Sequence, residues 1–256
     1  VGTGHAHVLH RDVSSPVHRL PPEVKITAMV VFTLAVVATP REAFWAFAGY
    51  AALVAVVAAL ARVGPGWLLA RSAIELPFVV FAFVLPFVGA GARVTWLGVP
   101  LSVDGLYGGW NILAKGTLGV LASLLLAGTT TGRDLIVGLD RLRCPQVVTQ
   151  IATFMLRYLD VLTAEARRMR IARISRGDDP RFLWQLRGFA AGIGALFLRA
   201  FERGERVYLA MTSRGYTGRM PVLWRRTGAA SAGQWVTGCV VPAVAAVIAA
   251  AAVVVT

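Results

Sequence analysis

The chain has 256 residues, 57% of them hydrophobic and only 15% charged, where soluble globular domains carry about 25% charged residues. With a mean hydropathy of +0.66, this composition argues against a water-soluble protein. The net charge of +13, from 26 Lys and Arg against 13 Asp and Glu, would suggest nucleic-acid binding in a soluble chain, but its placement points to membrane topology and no nucleic acid. Cys144 and Cys239 are far apart in sequence and outline neither a disulfide framework nor a zinc motif.

The first 23 residues are polar and rich in His and Pro, so no cleavable signal is expected before the first span. His5, His7 and His10, with His18 nearby, are spaced to hold a transition metal loosely or to form a mobile polar tail. No metal site is assigned to them. Five spans are then predicted, at 24–38, 43–61, 72–90, 106–128 and 235–255, each near the length of the hydrocarbon core and the first one short. Pro40 ends the first, Gly64-Pro65-Gly66 parts the second from the third, and Gly89-Ala90-Gly91-Ala92 closes the third. Pro77 and Pro86 inside the third predict a kink. The stretch 94–101 reads as a short outer hairpin. Lys115, in the fourth span, is expected to face protein or water and to bond backbone carbonyls, and Glu75 to pair with Arg71 one turn away.

Orientation follows from Lys and Arg between the spans. With the N-terminus in the cytoplasm, the inside receives Arg11, Arg19, Lys25, Arg62, Arg71 and all arginines from Arg133 to Arg226, and the outside only Arg41 and Arg93. The predicted organisation is a tail with four spans (1–131), a basic cytoplasmic region (132–232) and a last span (233–256). The fold class is all-α: a polytopic integral membrane protein with about five transmembrane helices and cytoplasmic amphipathic helices.

Two apolar stripes at helical spacing run through the basic region. One is Ile151, Met155, Tyr158, Leu162, Ala166, Met169 and Ala172; the other runs Leu183, Leu186, Ala190, Ile193, Phe197, Phe201, Gly204, Tyr208 and Met211. Both describe helices lying against the membrane or each other. A sixth span at 182–198 is the alternative, opposed by Arg187 within it. A pattern then occurs twice at an offset of 38 residues: Arg168-x-x-Ile171-Ala172-x-x-Ser175-Arg176-Gly177 and Arg206-x-x-Leu209-Ala210-x-x-Ser213-Arg214-Gly215. Each copy ends a helix with an arginine in the last turn and a glycine placed for the left-handed terminal conformation. Capping alone asks for neither the serine nor the common spacing. An arginine projecting from a helix end presents a charged fork for carboxylates or carbonyls of another protein, and two such ends suit a partner with two similar sites.

These paired ends resemble the two Ala-Arg-Gly-type motifs of the transmembrane T component of energy-coupling-factor (ECF) transporters, with serine where alanine is commoner. Ser15-Pro16-Val17-His18-Arg19-Leu20-Pro21-Pro22-Glu23-Val24-Lys25, Ala38-Thr39-Pro40-Arg41, Arg157-Tyr158-Leu159 and Glu205-Arg206-Val207-Tyr208-x-x-Met211 resemble the CbiQ branch, which serves cobalt uptake. The resemblance covers nearly the whole chain. It implies a multi-pass subunit of the cell inner (plasma) membrane joining a substrate-capture membrane subunit to two ABC ATPase subunits. It also implies that Arg176 and Arg214 dock the ATPases, with Ser175, Gly177, Ser213 and Gly215 shaping the ends.

The sequence contains no engine of its own. Ala114-Lys115-Gly116-Thr117 lacks the glycine that a phosphate loop has before its lysine, Asp178-Asp179 has no second acidic cluster for magnesium, and no histidine after His18 supplies a catalytic base. A non-catalytic subunit without cofactor is therefore expected, for cobalt or alternatively nickel or a vitamin. Competing classes are a membrane enzyme binding an anionic substrate through its arginines, and a structural protein binding anionic lipid.

Overall fold

Pro22 begins helix α1 (Pro22–Ala38), where its missing N–H costs no hydrogen bond, and Glu23 follows at the positive end of the helix dipole. The helix stops at Thr39, whose extended backbone is the conformation that a following proline favours. After it come α2 (Phe44–Leu60), α3 (Pro65–Ser72), α4 (Leu76–Val88), β1 (Arg93–Trp96), β2 (Val99–Ser102), α5 (Val103–Thr129), α6 (Gly132–Arg141), α7 (Gln146–Ser175), α8 (Leu186–Thr212) and α9 (Ala232–Val255). The computed structural model describes residues 15–89, 92–96, 99–177, 186–218 and 230–255. The chain is an all-helical, multi-pass membrane protein. Among the described residues one strand pair occurs, at the expected hairpin, antiparallel with Arg93 opposite Ser102 and Trp96 opposite Val99.

By length and composition, Pro65–Val88, Val103–Thr129, Gln146–Ser175 and Ala232–Val255 are long and apolar enough to cross a bilayer, and Phe44–Leu60 is a shorter apolar helix. The sequence places Gln146–Ser175 in the cytoplasmic region, lying against the membrane or a second helix, not across the bilayer. It is the least apolar of the four, with a mean hydropathy of 1.2 against 2.6 for Ala232–Val255, and carries Arg157, Arg167, Arg168, Arg170 and Arg173. Of the stretch 182–198 only 186–198 is described; it runs into the charged part of α8, which is not among the described helices long and apolar enough to cross a bilayer.

The third span runs over Pro65–Val88, with α3 and α4 as its two parts. A 3-10 turn at Ala73–Glu75 joins α3 to α4, and Pro77, in the first turn of α4, has no N–H to offer the Ala73 carbonyl, so the helical bonding is interrupted there. Pro86 lies inside α4, removing the N–H that would bond the Ala82 carbonyl. Gly109 of α5 lies against that carbonyl, and Gly105 against Leu85 and Pro86. Small residues let α4 and α5 approach closely where lipid supplies no hydrophobic drive.

Among the described residues the chain divides into two compact units, one within 15–142 together with 230–255, the other within 143–218. In the first, the core is built of aromatics and alanines: Phe32, Phe47 and Tyr50 with Ala46, Ala245, Ala249 and Ala252. The rings of Phe32 and Tyr50 meet edge to face at 5.8 Å. Thr39 Oγ1 donates to Ala35 O at 2.8 Å and shares a hydrogen bond with the Tyr50 hydroxyl at 2.8 Å, fixing the end of α1 to α2.

The two lysines of the sequence cap each other's helices. Lys25 of α1 donates to Thr129 O at 2.8 Å, at the end of α5. Lys115 of α5 donates to Val37 O at 2.8 Å, at the end of α1, as the sequence reading expected of it. Both carbonyls lie in a last turn, where no further helical N–H reaches them, and an ammonium group satisfies them where water is scarce. Glu75 departs from expectation. It is buried and accepts from Thr117 Oγ1 of α5 at 3.1 Å, while Arg71 lies over the Trp67 ring at 4.3 Å. The 3-10 turn rotates Glu75 out of the i,i+4 register that the pairing required.

Candidate functional site

The repeated sequence is a repeated geometry. At the end of α7, Arg176 N donates to Arg173 O and Gly177 N to Ile174 O, both at 3.0 Å. At the end of α8, Arg214 N donates to Met211 O and Gly215 N to Thr212 O, again at 3.0 Å. Gly177 has φ +80° and Gly215 φ +83°, and a side chain at either would meet open space. Glycine is therefore demanded by the left-handed backbone, not by crowding. The serines match as well: Ser175 Oγ donates to Ala172 O at 3.0 Å and Ser213 Oγ to Ala210 O at 3.1 Å. Tyr216 N closes the second end with a bond to Met211 O at 3.0 Å, the six-to-one bond of a Schellman terminus.

Each terminus thus uses its serine and its backbone on its own last carbonyls and leaves its arginine outward. Ser175, Arg176, Gly177, Ser213, Arg214 and Gly215 are all exposed. Among the described residues, no hydrogen bond or ion pair engages the Arg176 or Arg214 side chain. A guanidinium so placed offers five donors in a rigid fork.

Contacts within this unit show how the ends are disposed. Tyr216 Oη donates to Gln150 Oε1 at 3.0 Å, so the end of α8 meets the beginning of α7. Arg199 of α8 bonds Glu165 of α7 near the middle of both helices, and Arg173 lies against Gly192 toward the other end. The helices are therefore antiparallel, and Arg176 and Arg214 tip opposite ends of the pair. From Gln150 to Arg176 the helix extends about 39 Å at 1.5 Å per residue.

Glu165 is the residue that the sequence reading missed. One oxygen receives Arg168 of its own helix at 2.6 Å and the other receives Arg199 of α8. The available signal was one of only two acids, with Asp160, in an arginine-rich helix, three residues before Arg168. The stripes also divide differently than expected. Tyr158, Leu162, Ala166 and Met169 are half-buried, whereas Ile151 and Met155 are exposed, as are Ile193, Phe197, Phe201 and Tyr208 of the second stripe. Leu183 and the side chain of Leu186 lie outside the described residues, as do His5, His7, His10, Asp178 and Asp179. Among the described residues, no cluster of His, Cys, Asp and Glu could hold a metal ion.

A multi-pass helical membrane protein carrying two like, arginine-tipped helix ends is the class these observations define. The chain belongs to the cobalt transport protein (CbiQ) family, whose family model matches residues 13–223. It is 32% identical over 219 residues to the energy-coupling factor transporter transmembrane protein EcfT of Thermanaerovibrio acidaminovorans, covering 80% of each chain. The protein of the same name from Bacillus selenitireducens is 28% identical over 80% of this chain and 81% of its own. The cobalt transport protein CbiQ of Rhodobacter capsulatus is 32% identical over 61% of this chain and 67% of its own.

Proposed function

We propose that this chain is the transmembrane coupling subunit of an ECF-type importer, converting motion of two partner ABC ATPases into movement of a substrate-capture membrane subunit, with cobalt ion as cargo. The observation that carries the reading is the pair of helix ends of one geometry, each leaving an exposed arginine, at opposite ends of an antiparallel pair. Two ATPases related by twofold symmetry present two like sites facing different ways, and outward arginines about 39 Å apart along the helix meet one site each. Arg176 and Arg214 are the docking residues, seated on carboxylates or helix-end carbonyls. Gly177 and Gly215 hold the backbone turn that aims them.

The charge asymmetry supports an N-terminus and a helix pair in the cytoplasm of a cell whose inner (plasma) membrane holds the spans. The exposed faces through Ile151 and Met155 and through Ile193, Phe197 and Phe201 take the bilayer or the capture subunit, as apolar patches rimmed by charge do. The chain itself is non-catalytic, and ATP hydrolysis belongs to the partners. Cobalt is favoured over nickel or a vitamin by the family description and the Rhodobacter capsulatus relative.

Copurification tests the reading. The wild-type chain retains two ATPase subunits, and the double variant Arg176→Ala/Arg214→Ala loses them, each truncation of such an anchor costing about 2 kcal/mol. Retention of the ATPases and of uptake by the double variant overturns the docking role. Uptake compared across Co2+, Ni2+ and vitamins then fixes the cargo.

A further inference from the structure

The basic helix pair is joined to the membrane-spanning unit at two places in the chain, leaving after Leu142 and returning at Ala229. Both joints are fastened to one side chain inside the spanning unit. Glu23, in the first turn of α1, is buried. Arg141, the last residue of α6, donates through Nη1 to Glu23 Oε1 at 2.9 Å and Oε2 at 3.0 Å. The backbone N–H of Ala230, just before α9, donates to Glu23 Oε1 at 3.2 Å. These partners are separated from Glu23 by 118 and 207 residues of sequence.

The packing around the carboxylate is as close as it can be. Gly138 of α6 lies against Ile26 and the backbone at Pro22 and Glu23, and Gly238 of α9 lies against Val24. No side chain at either glycine would fit without a shift, so α6 and α9 press directly on the first turn of α1 from two sides. At the exit, Arg143 takes φ +60°, a left-handed turn that a non-glycine residue adopts only where its surroundings enforce it.

We propose, on the coupling-subunit reading above, that Glu23 is the pivot through which displacement of the 143–228 segment reaches the spanning helices. A pull on either joint arrives at the same buried carboxylate and is delivered to α1, which packs on α6, α9 and α5. Flexible attachment at either joint would dissipate the movement in the loop. A buried carboxylate with a charge-assisted partner resists this, because separating the pair leaves an uncompensated charge away from water. Glu23 is a positioning residue: it touches neither ATP nor cargo, and its loss uncouples hydrolysis from transport.

The experiment uses the full complex with both ATPases and the capture subunit in proteoliposomes, with Co2+ as the probe, reading ions moved per ATP hydrolysed. Glu23→Gln keeps the size of the side chain and an acceptor for Ala230 while removing the charge that holds Arg141. The expected result is an assembled complex whose ATP hydrolysis stays near wild type and whose ions per ATP fall about fivefold or more, the factor carried by one lost interaction. Arg141→Lys, which keeps the charge, holds the ratio closer to wild type. An unchanged ratio in Glu23→Gln overturns the proposal. If that variant does not assemble, Glu23→Gln/Arg141→Met, which leaves no unpaired charge, is measured in the same way, and an unchanged ratio or a second failure to assemble reduces the pair to a folding role and overturns the pivot. Failure of the wild-type chain to retain ATPases is a separate outcome: it removes the coupling-subunit reading itself.

Discussion

Tyr216 donates its phenolic hydroxyl to the side-chain oxygen of Gln150 at 3.0 Å, fastening the segment just beyond Gly215 to the first turns of α7. That bond, with Glu165 at mid-length, makes the two arginine ends face apart. Were the pair to stand across the bilayer, its tips would lie on opposite membrane faces. Were it to lie along the surface, both tips would face the same side.

The topology prediction follows directly. In a chain whose Cys144 and Cys239 are replaced by serine, single cysteines at Ser175→Cys and Ser213→Cys both react with a membrane-impermeant maleimide in inside-out vesicles, and neither reacts in intact cells. Labelling of the two from opposite sides sinks the docking model.

Glu165→Ala removes the bridge between α7 and α8 without touching either tip. Spin labels at Ser175→Cys and Ser213→Cys, in the chain whose Cys144 and Cys239 are replaced by serine and which keeps Glu165, give a distance distribution centred near the span of the helix pair, about 39 Å. The Glu165→Ala background broadens it, and ATPase retention weakens although both arginines remain. A distribution of unchanged width shows that packing alone holds the pair.

The glycines of the two ends differ from the serines in what substitution does. Gly177→Ala and Gly215→Ala meet open space, so their cost is that of a left-handed backbone alone, about 1–2 kcal/mol each. The helix end relieves it by rearranging, which redirects the arginine, and ATPase affinity falls about tenfold per substitution. Ser175→Ala and Ser213→Ala remove an exposed bond that water replaces, with an effect near 0.5 kcal/mol. Equal effects of glycine and serine substitutions in a binding titration contradict this ordering.

Close glycine contacts within the spanning unit predict a stability pattern. Gly109→Ala drives a methyl group into the Ala82 carbonyl and Gly238→Ala drives one into Val24, whereas Gly119→Ala meets nothing. Overpacking of this kind costs about 1–3 kcal/mol, a fall of roughly 2–4 °C in Tm per kcal/mol for a chain of this size. Thermal unfolding in detergent should rank Gly238→Ala and Gly109→Ala well below wild type, and Gly119→Ala level with it.

The elements that the sequence made legible share one property: their signals are local. Runs of apolar residues mark the spans because the bilayer is a solvent of fixed thickness. Pro40 marks a break because a proline acts on its own backbone and its neighbour's, here the extended Thr39. The doubled Ser-Arg-Gly termini were readable because a helix end is closed by bonds three to five residues long, and both copies adopt the closure that their spelling implied.

Glu75 shows where local reading stops. Its expected partner was the nearest cation on an assumed continuous helix, but a three-residue 3-10 turn hands it to Thr117. α7 shows a second limit, since its composition suits both a membrane span and a surface helix, and periodicity alone did not say which half of its stripe faces α8.

By itself, then, the sequence determined the long apolar helices at Pro65–Val88, Val103–Thr129 and Ala232–Val255, the excess of basic charge in one region, and the two like helix ends, because each is encoded in residues within a few turns of one another. Only the tertiary structure decided that those ends point apart, that Glu165 joins the helices carrying them, that Lys25 and Lys115 cap each other's helices, and that both joints of the basic pair meet at Glu23. These depend on contacts between residues tens to hundreds of positions apart. Such contacts are set by which helices pack together, and no periodicity within a single helix records that choice.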